Sequence, residues 1–508
     1  MIPFMRNHLL AVRLVCSVLL AIGVAPSAFA LGEVPPGPGV DPLVPDEALT
    51  RLAPSTSLAS FLNAINQAFP GTTVIGSIES RQTYKLSLPA GADPILVDDF
   101  LDAQKDAGVI EWGELNYEGQ AAEGKTGSLW VSQLSIGPSE YAGQYAVETL
   151  GLPAAQTKSE GQGVIVAVLD TGVDATHPAL LGKVLDGASF LPATGDCGDG
   201  DPTADIGDCI DNDDDGLVDE MVGHGTFVAG LVTLVAPASK ILPVVVLDSD
   251  GIGDTFSIAQ GLYYAIDNGA KVINCSFGST YKGEAVEDAV LEAWNKGVVV
   301  VGAAGNFDRI VPEEYPAMLF EPIGIAATDQ ADQKAAFSNY GPGIGISAPG
   351  QSDTLRGGEF DPEKSVVSAL PGGDFVVWKG TSFANAFVSG AAALVRAQHP
   401  TLAPNAAATT MVINTLKGTA ANINAQNPAY VGLLGAGRLD AAAATALGPN
   451  APPIGDLNLD GVVNGADLGA MLGQWGPCGG PGACSGDLDF DGDVDGADLG
   501  VLLGNWSR

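Results

Sequence analysis

The stretch Val164-Ile-Val-Ala-Val-Leu-Asp170-Thr-Gly-Val173 carries six uninterrupted apolar residues into an aspartate followed by Thr-Gly. A strand that is apolar at every position, rather than at every second one, is covered on both faces. That is the condition of a parallel sheet with helices packed on each side. Comparable apolar runs recur at 241–247, 272–275, 298–302 and 323–327. Between and after them, residues 226–235, 256–268, 285–296 and 382–398 read as helices. The spacing therefore predicts an α/β domain. Open sheets of this kind gather reactive groups where the strands end, as Asp170 does.

Two further motifs follow in the chain, Gly223-His224-Gly225-Thr226 and Gly380-Thr381-Ser382-Phe383-Ala384. An aliphatic hydroxyl attacks poorly until a base takes its proton, and a neutral imidazole serves as that base when a buried carboxylate fixes its tautomer. Asp170, His224 and Ser382 supply those three groups. Of the four histidines, His8 lies in the N-terminal leader, His399 precedes a proline, and His177 reads as a structural residue of the loop after Asp170. Only His224 has glycine neighbours that let a helix begin in tight packing.

The order Asp, His, Ser, each in a glycine-rich signature, resembles the subtilisin-like serine peptidases over roughly residues 140 to 447. The resemblance implies a three-layer fold with a mostly parallel sheet and a catalytic triad of Asp170, His224 and Ser382. It also implies an oxyanion-hole donor at Asn306, in Gly302-Ala-Ala-Gly-Asn306. Ser276-Phe277-Gly278 is similar to the family strand that binds substrate backbone as an added β-strand. Ala303-Ala304-Gly305 would then form the other wall of the pocket for the P1 side chain. These walls are small and apolar, so an uncharged P1 residue is expected. Phe383, Asn385, Ala386 and Phe387 depart from the family's usual residues after the serine, and the two phenylalanines could obstruct the pocket.

The chain has 508 residues, enough for more than one domain. Arg6 and Arg13 precede an apolar run at 14–24 and then Ala28-Phe29-Ala30, which reads as a signal peptide over 1–30 and hence export. The remaining apolar stretches are too short to span a bilayer. With 60 acidic against 22 basic residues and a formal charge of −38, a nucleic-acid partner is excluded. Residues 31–140 read as a separate α+β unit with strands at 83–88 and 109–117 and a helix at 95–107. Its last part loosely resembles the inhibitory propeptides of the same family, and a permanent N-terminal domain is the alternative.

After a Pro-rich linker at 448–454, the acidic residues fall into two loops 31 residues apart. Oxygen donors stand at Asp456, Asn458, Asp460, Val462 (carbonyl), Asn464 and Asp467, and again at Asp487, Asp489, Asp491, Asp493, Asp495 and Asp498, each loop with glycine at its sixth position. This is the ligand pattern of EF-hand loops. Residues 455–508 resemble a type I dockerin module, which implies bound calcium and a cohesin-like scaffold or surface protein as partner. Helices are expected at 466–475 and 497–506, with Leu468, Met471, Leu472, Leu499, Leu502 and Leu503 as the module's own core. Cys478 and Cys484, in an exported Gly/Pro-rich loop between the repeats, read as a disulfide.

A third loop, with Asp211, Asp213 and Asp215 in Asp-x-Asp-x-Asp-Gly order, has Val222 at the closing position and needs Asp219 or Glu220 to complete it. Calcium there, or a solvated acidic loop stapled by Cys197–Cys209, accounts for the sequence equally. The chain reads as an exported serine endopeptidase made as a proenzyme and tethered by its calcium-binding tail. A silent subtilisin-like binding protein displayed by that tail is the alternative.

Overall fold

The computed structural model describes residues 42–132, 136–191, 201–213, 215–310, 314–319, 323–353, 361–448, 455–457, 462–478, 484–488 and 493–506. The leader, Cys197 and the expected ligands Asn458, Asp460, Asp489 and Asp491 lie outside these residues.

The N-terminal unit consists of β1 (Leu43–Leu52), α1 (Leu58–Ala68), β2 (Thr73–Ile78), β3 (Thr83–Ser87), α2 (Pro94–Asp106) and β4 (Ile110–Ala121). Its antiparallel sheet runs β4-β1-β3-β2 and buries a core of its own, including Leu52, Phe61, Ile65, Leu86, Val97, Leu101 and Ile110. β1 shows no apolar alternation in sequence. It contains Pro45 and, at Asp46, a left-handed residue with φ 56°, so pairing with both neighbours rather than local preference makes it a strand.

The catalytic-size unit begins with β5 (Ile165–Asp170) and continues through α3 (His224–Val235), β6 (Lys240–Val245), β7 (Ile252–Asp254), α4 (Thr255–Asp267), β8 (Val272–Cys275), β9 (Phe277–Gly278), α5 (Glu284–Asn295), β10 (Val299–Ala303), β11 (Ile323–Thr328) and β12 (Ile344–Pro349). The main sheet is parallel throughout, in the order β12-β11-β10-β8-β5-β6 with the short strand Ala188–Ser189 at the edge. The expected strands and helices are present with ends shifted by one or two residues, because unbroken apolar runs buried on both faces leave few alternatives.

The hairpin β13 (Val366–Leu370) and β14 (Asp374–Trp378) leads into α6 (Thr381–Gln398), which is buried along nearly its whole length, and α7 (Ala406–Gly418) follows. A helix enclosed on all sides must be apolar or small nearly all round, and alanine is the commonest residue of α6. Phe383 and Phe387 belong to the main core, with Phe383 packed against Phe227 and Trp378. They support the site from behind and do not obstruct a pocket.

In the tail, α8 (Gly465–Leu472) and α9 (Gly496–Gly504) close a small core of Val463, Met471, Leu488, Val494 and Leu502. Both helices stop short of Trp475 and Trp506, and Leu472 and Leu503 are about half exposed rather than core. Cys478 and Cys484 are bonded, with Cα atoms 5.6 Å apart.

Candidate active site

Asp170 ends β5 and His224 opens α3, where Gly223 holds φ 94°, a backbone that a residue with a Cβ rarely adopts. Asp170 Oδ1 lies 2.7 Å from His224 Nδ1 and also accepts from the Thr171 amide at 2.9 Å. Ser382 stands in the first turn of α6, with its Oγ 3.0 Å from the Ser276 carbonyl oxygen. Asn306 turns its Oδ1 to the Thr381 amide and hydroxyl, both at 2.9 Å, which forces its NH2 toward the cleft. All four expected residues are brought together and buried.

The fifth member of the site was not legible as such in the sequence. Glu123, from the N-terminal unit, inserts a carboxylate among them. Its Oε2 accepts from Ser382 Oγ at 2.5 Å and lies 3.1 Å from His224 Nε2, while its Oε1 accepts from Asn306 Nδ2 at 3.0 Å. Any side chain at Gly380 would overlap this carboxylate. Burial alone would lower the pKa of His224, but the Asp170 and Glu123 carboxylates outweigh it and raise it to about 10. Flanked by two acceptors, the ring donates from both nitrogens and has no lone pair left for the serine proton.

Glu123 is delivered by β4, which leaves its own sheet and enters the cleft. There Glu118–Gln120 pair with β7, and Gln120 and Ala121 pair with Gly278 and Phe277 of β9, all antiparallel. The sequence gives residues 118–121 no strand signature; the two cleft strands impose one. Beyond Ala121 the chain coils, and the Ala122 carbonyl accepts from Thr126 Oγ1 at 3.2 Å instead of entering the hole beside Asn306.

The two expected pocket walls, Ser276–Gly278 and Ala303–Gly305, lie at β9 and at the end of β10. A buried carboxylate stands close to both. A side chain added at Gly278 would run into Glu314, a carboxylate only 2% exposed, and one at Gly305 would meet Asn339 and then Glu314.

A second missed residue is Asp205, buried to 1% exposure. Its Oδ1 accepts from Thr171 Oγ1 at 2.9 Å and Gly223 N at 3.1 Å, and its Oδ2 from Thr226 N at 3.0 Å and Thr226 Oγ1 at 2.5 Å. Thr171 follows Asp170 and Gly223 precedes His224, so this one carboxylate joins the two loops that present the pair. Another buried network ties Asn385 to Asn274 Oδ1 at 3.0 Å, and Asn274 to Ser276 Oγ at 2.8 Å, which fixes the start of α6 against the substrate strand.

His177 is structural as expected, its Nδ1 accepting from the Ala179 amide at 3.1 Å. Cys275 is a buried thiol whose pKa burial pushes up.

In the acidic loop, carboxylate oxygens of Asp211, Asp213 and Asp215 lie within 4.8 Å of one another, an oxygen-donor set of the kind calcium takes. Asp219 turns Oδ1 to the amides of Asp208 and Cys209 at 3.0 and 3.1 Å. Burial and the neighbouring Asp250 push Glu220 up to about 8. Cys209 is disulfide-bonded, and its expected partner Cys197 lies outside the described residues. In the tail, Asp456, Asp467, Asp487 and Asp498 are buried, whereas Asn464 and Asp495 cap their helices by accepting from Ala466 N and Ala497 N, both at 2.7 Å. Val462 lies at the surface and Asp493 forms part of a two-residue strand.

Residues 161–437 match the subtilase family of peptidases. The chain belongs to that family. Thermitase of Thermoactinomyces vulgaris is 37% identical over 265 residues, which cover 50% of this chain and 82% of thermitase. Subtilisin BL of Lederbergia lenta is 36% identical over 311 residues, 59% of this chain and 98% of that protein. Among solved structures, a protease of Pseudoalteromonas arctica PAMC 21717 superimposes with a TM-score of 0.52 at 29% identity, over 61% of this chain and 98% of its own. Fervidolysin of Fervidobacterium pennivorans shares the fold at 23% identity, with a TM-score of 0.59 over 80% of this chain and 61% of its own. This subtilase is a serine endopeptidase.

Two outcomes follow for the subtilase. Asp205→Asn should lower kcat by about 10- to 100-fold with KM nearly unchanged, because it releases the loops carrying Asp170 and His224 without touching the cleft; steady-state kinetics beside the unfolding midpoint separate this from a loss of fold. The Glu123 contact, resting on a raised histidine pKa, contributes stability that is complete below the ring's ordinary value near 6.5 and is lost as pH rises through about 10. Hydrolysis by the full chain should therefore begin sooner as pH is raised across that window, and Glu123→Gln should advance its onset at pH 7; an onset independent of both would contradict the contact's role.

Proposed function

We propose that this subtilase is an exported endopeptidase, made with a blocking N-terminal segment, in which Asp170, His224, Ser382 and Asn306 carry out peptide-bond hydrolysis. The observation that carries this reading is the convergence of Ser382 Oγ, His224 Nε2 and Asn306 Nδ2 on one carboxylate, since a carboxylate's oxygens stand in for those of a tetrahedral intermediate. Once Glu123 withdraws, His224 loses one of its two anionic partners and releases its Nε2 proton to water, so that Nε2 can accept the Ser382 proton while Asp170 holds Nδ1. Ser382 Oγ then bonds to the substrate carbonyl carbon, and Asn306 Nδ2 and the Ser382 amide donate to the resulting oxyanion. His224 returns the proton to the amine as the C–N bond breaks, and water releases the acyl group by the same sequence.

The segment from residue 42 to about 127 acts as the propeptide in this reading. Beyond β4, it docks through basic groups on an acidic surface: Arg81 pairs with Asp267 at 2.6 Å and Glu292 at 2.7 Å, Lys85 with Asp254 at 2.8 Å, Lys105 with Glu284 at 2.7 Å, and Arg51 with Asp288. Glu114 accepts from the first amides of α5 at 2.7 and 2.9 Å, which only partly offsets the burial that pushes its carboxyl up to about 8.

Calcium fits two places. Asp211, Asp213 and Asp215 would hold one ion beside the His224 loop, and the tail's buried acids would hold ions at the two repeats, where the ion's part is to fix loop geometry. The dockerin-like tail would bind a cohesin-like protein.

A serine-directed fluorophosphonate should label the full chain and casein should be cut, with both lost in Ser382→Ala; labelling that survives the change would remove Ser382 from its role. Asn306→Ala should cost about 10²- to 10³-fold in kcat, the effect of deleting one oxyanion donor. Calcium at about 100 times Kd should stabilise each binding unit by about 2.7 kcal/mol, read as a chelator-reversible rise in Tm; an unchanged Tm would argue against calcium.

A further inference from the structure

The two walls Ser276–Gly278 and Ala303–Gly305 enclose a carboxylate rather than an apolar floor. Glu314 reaches between Gly278 and Gly305: a side chain at Gly278 would displace it, and one at Gly305 would meet Asn339 first and then Glu314. The segment that brings it is pinned to the substrate strand by paired hydrogen bonds, Ser279 N to Tyr315 O at 2.9 Å and Tyr315 N to Ser279 O at 2.8 Å. Opposite Glu314 sits Lys125, two residues after the carboxylate that fills the oxyanion position. Its Nζ lies 3.6 Å from Glu314 Oε2, with side-chain exposures of 5% and 2%. The N-terminal segment thus places an anion where the reacting carbonyl oxygen would be and a cation where the P1 side chain would be.

Resting on the reading of these walls as the P1 pocket, we propose that Glu314 determines specificity and selects peptides with lysine or arginine at P1, Lys125 occupying that position until the segment leaves. A buried carboxylate is costly without a compensating charge, and withdrawal of Lys125 breaks such a pair. A substrate ammonium or guanidinium restores it, whereas a leucine or phenylalanine brings no charge to replace that of Lys125. Sites built around a buried polar group discriminate strongly against ligands that leave it unmatched. Backbone pairing of Gln120 and Ala121 with Gly278 and Phe277 is what brings the segment carrying Lys125 to this strand.

The test is a series of fluorogenic peptides identical except for Lys, Arg, norleucine, Leu or Phe at P1, assayed with the full chain after it has become active. Norleucine keeps most of the lysine stem without its charge. We expect kcat/KM for Lys and Arg to exceed that for norleucine, Leu and Phe by at least about 10-fold. In Glu314→Gln the Lys-to-norleucine ratio should fall to about one, with Leu and Phe cut as well as or better than before, and Glu314→Asp should keep part of the preference. A wild-type preference for Leu or Phe overturns the proposal without need of any variant, as does a Lys-to-norleucine ratio unchanged in Glu314→Gln. If no peptide is cut and no fluorophosphonate label is taken up, the peptidase reading beneath the proposal falls instead.

Discussion

The structure is organised around one buried imidazole held between two carboxylates. Asp170, His224 and Glu123 are all shielded from water, and ionised groups remain in such a place only when each is paired and hydrogen-bonded. Asp170 is there because a parallel strand covered on both faces ends at that point, and His224 because a left-handed glycine lets α3 begin against it. Asp205 then fixes the spacing between their loops. Glu123 completes the charge balance from another part of the chain, and the same contact that stabilises the assembly removes the base from action.

The rest of the N-terminal unit makes that contact possible. In a chain of net charge −38, the unit meets its neighbour through Arg51, Arg81, Lys85 and Lys105, each set against acids of α4, α5 or the strand before them. The exposed pair Lys105–Glu284 stabilises little, and the half-buried pairs offset part of their gain by desolvation. Their value is in register: they align β4 so that its distal residues form a third strand between β7 and β9. That alignment sends Glu123 toward Asn306 and Lys125 toward Glu314. The unit engages the cleft at three points, with backbone pairing, an anion and a cation.

Much of this was legible in the sequence and some of it could not be. Unbroken apolar runs located the parallel strands to within a residue or two, because burial on both faces leaves no other periodicity. Glycine-flanked motifs identified Asp170, His224, Ser382 and Asn306, since those glycines are required by the close packing of the backbone around the site. Glu123, Asp205 and Glu314 carry no local signature. Each is one acid among 60, and its meaning comes from contacts made across dozens to hundreds of residues. The expectation of an uncharged P1 residue was drawn from the walls at 276–278 and 303–305 alone, where nothing local announces the carboxylate of Glu314. Likewise, residues 118–121 become a strand only because the cleft offers two edges to pair with.

The most direct measurement is the protonation of His224 in the full chain, followed by nitrogen NMR of selectively labelled histidine across pH 6 to 11. With four histidines in the sequence, a His224→Gln reference assigns the signal. The account predicts that both ring nitrogens of His224 carry protons at pH 8 and that this state titrates near 10, falling in Glu123→Gln. A neutral ring at pH 8 in the full chain, unaffected by Glu123→Gln, would contradict it.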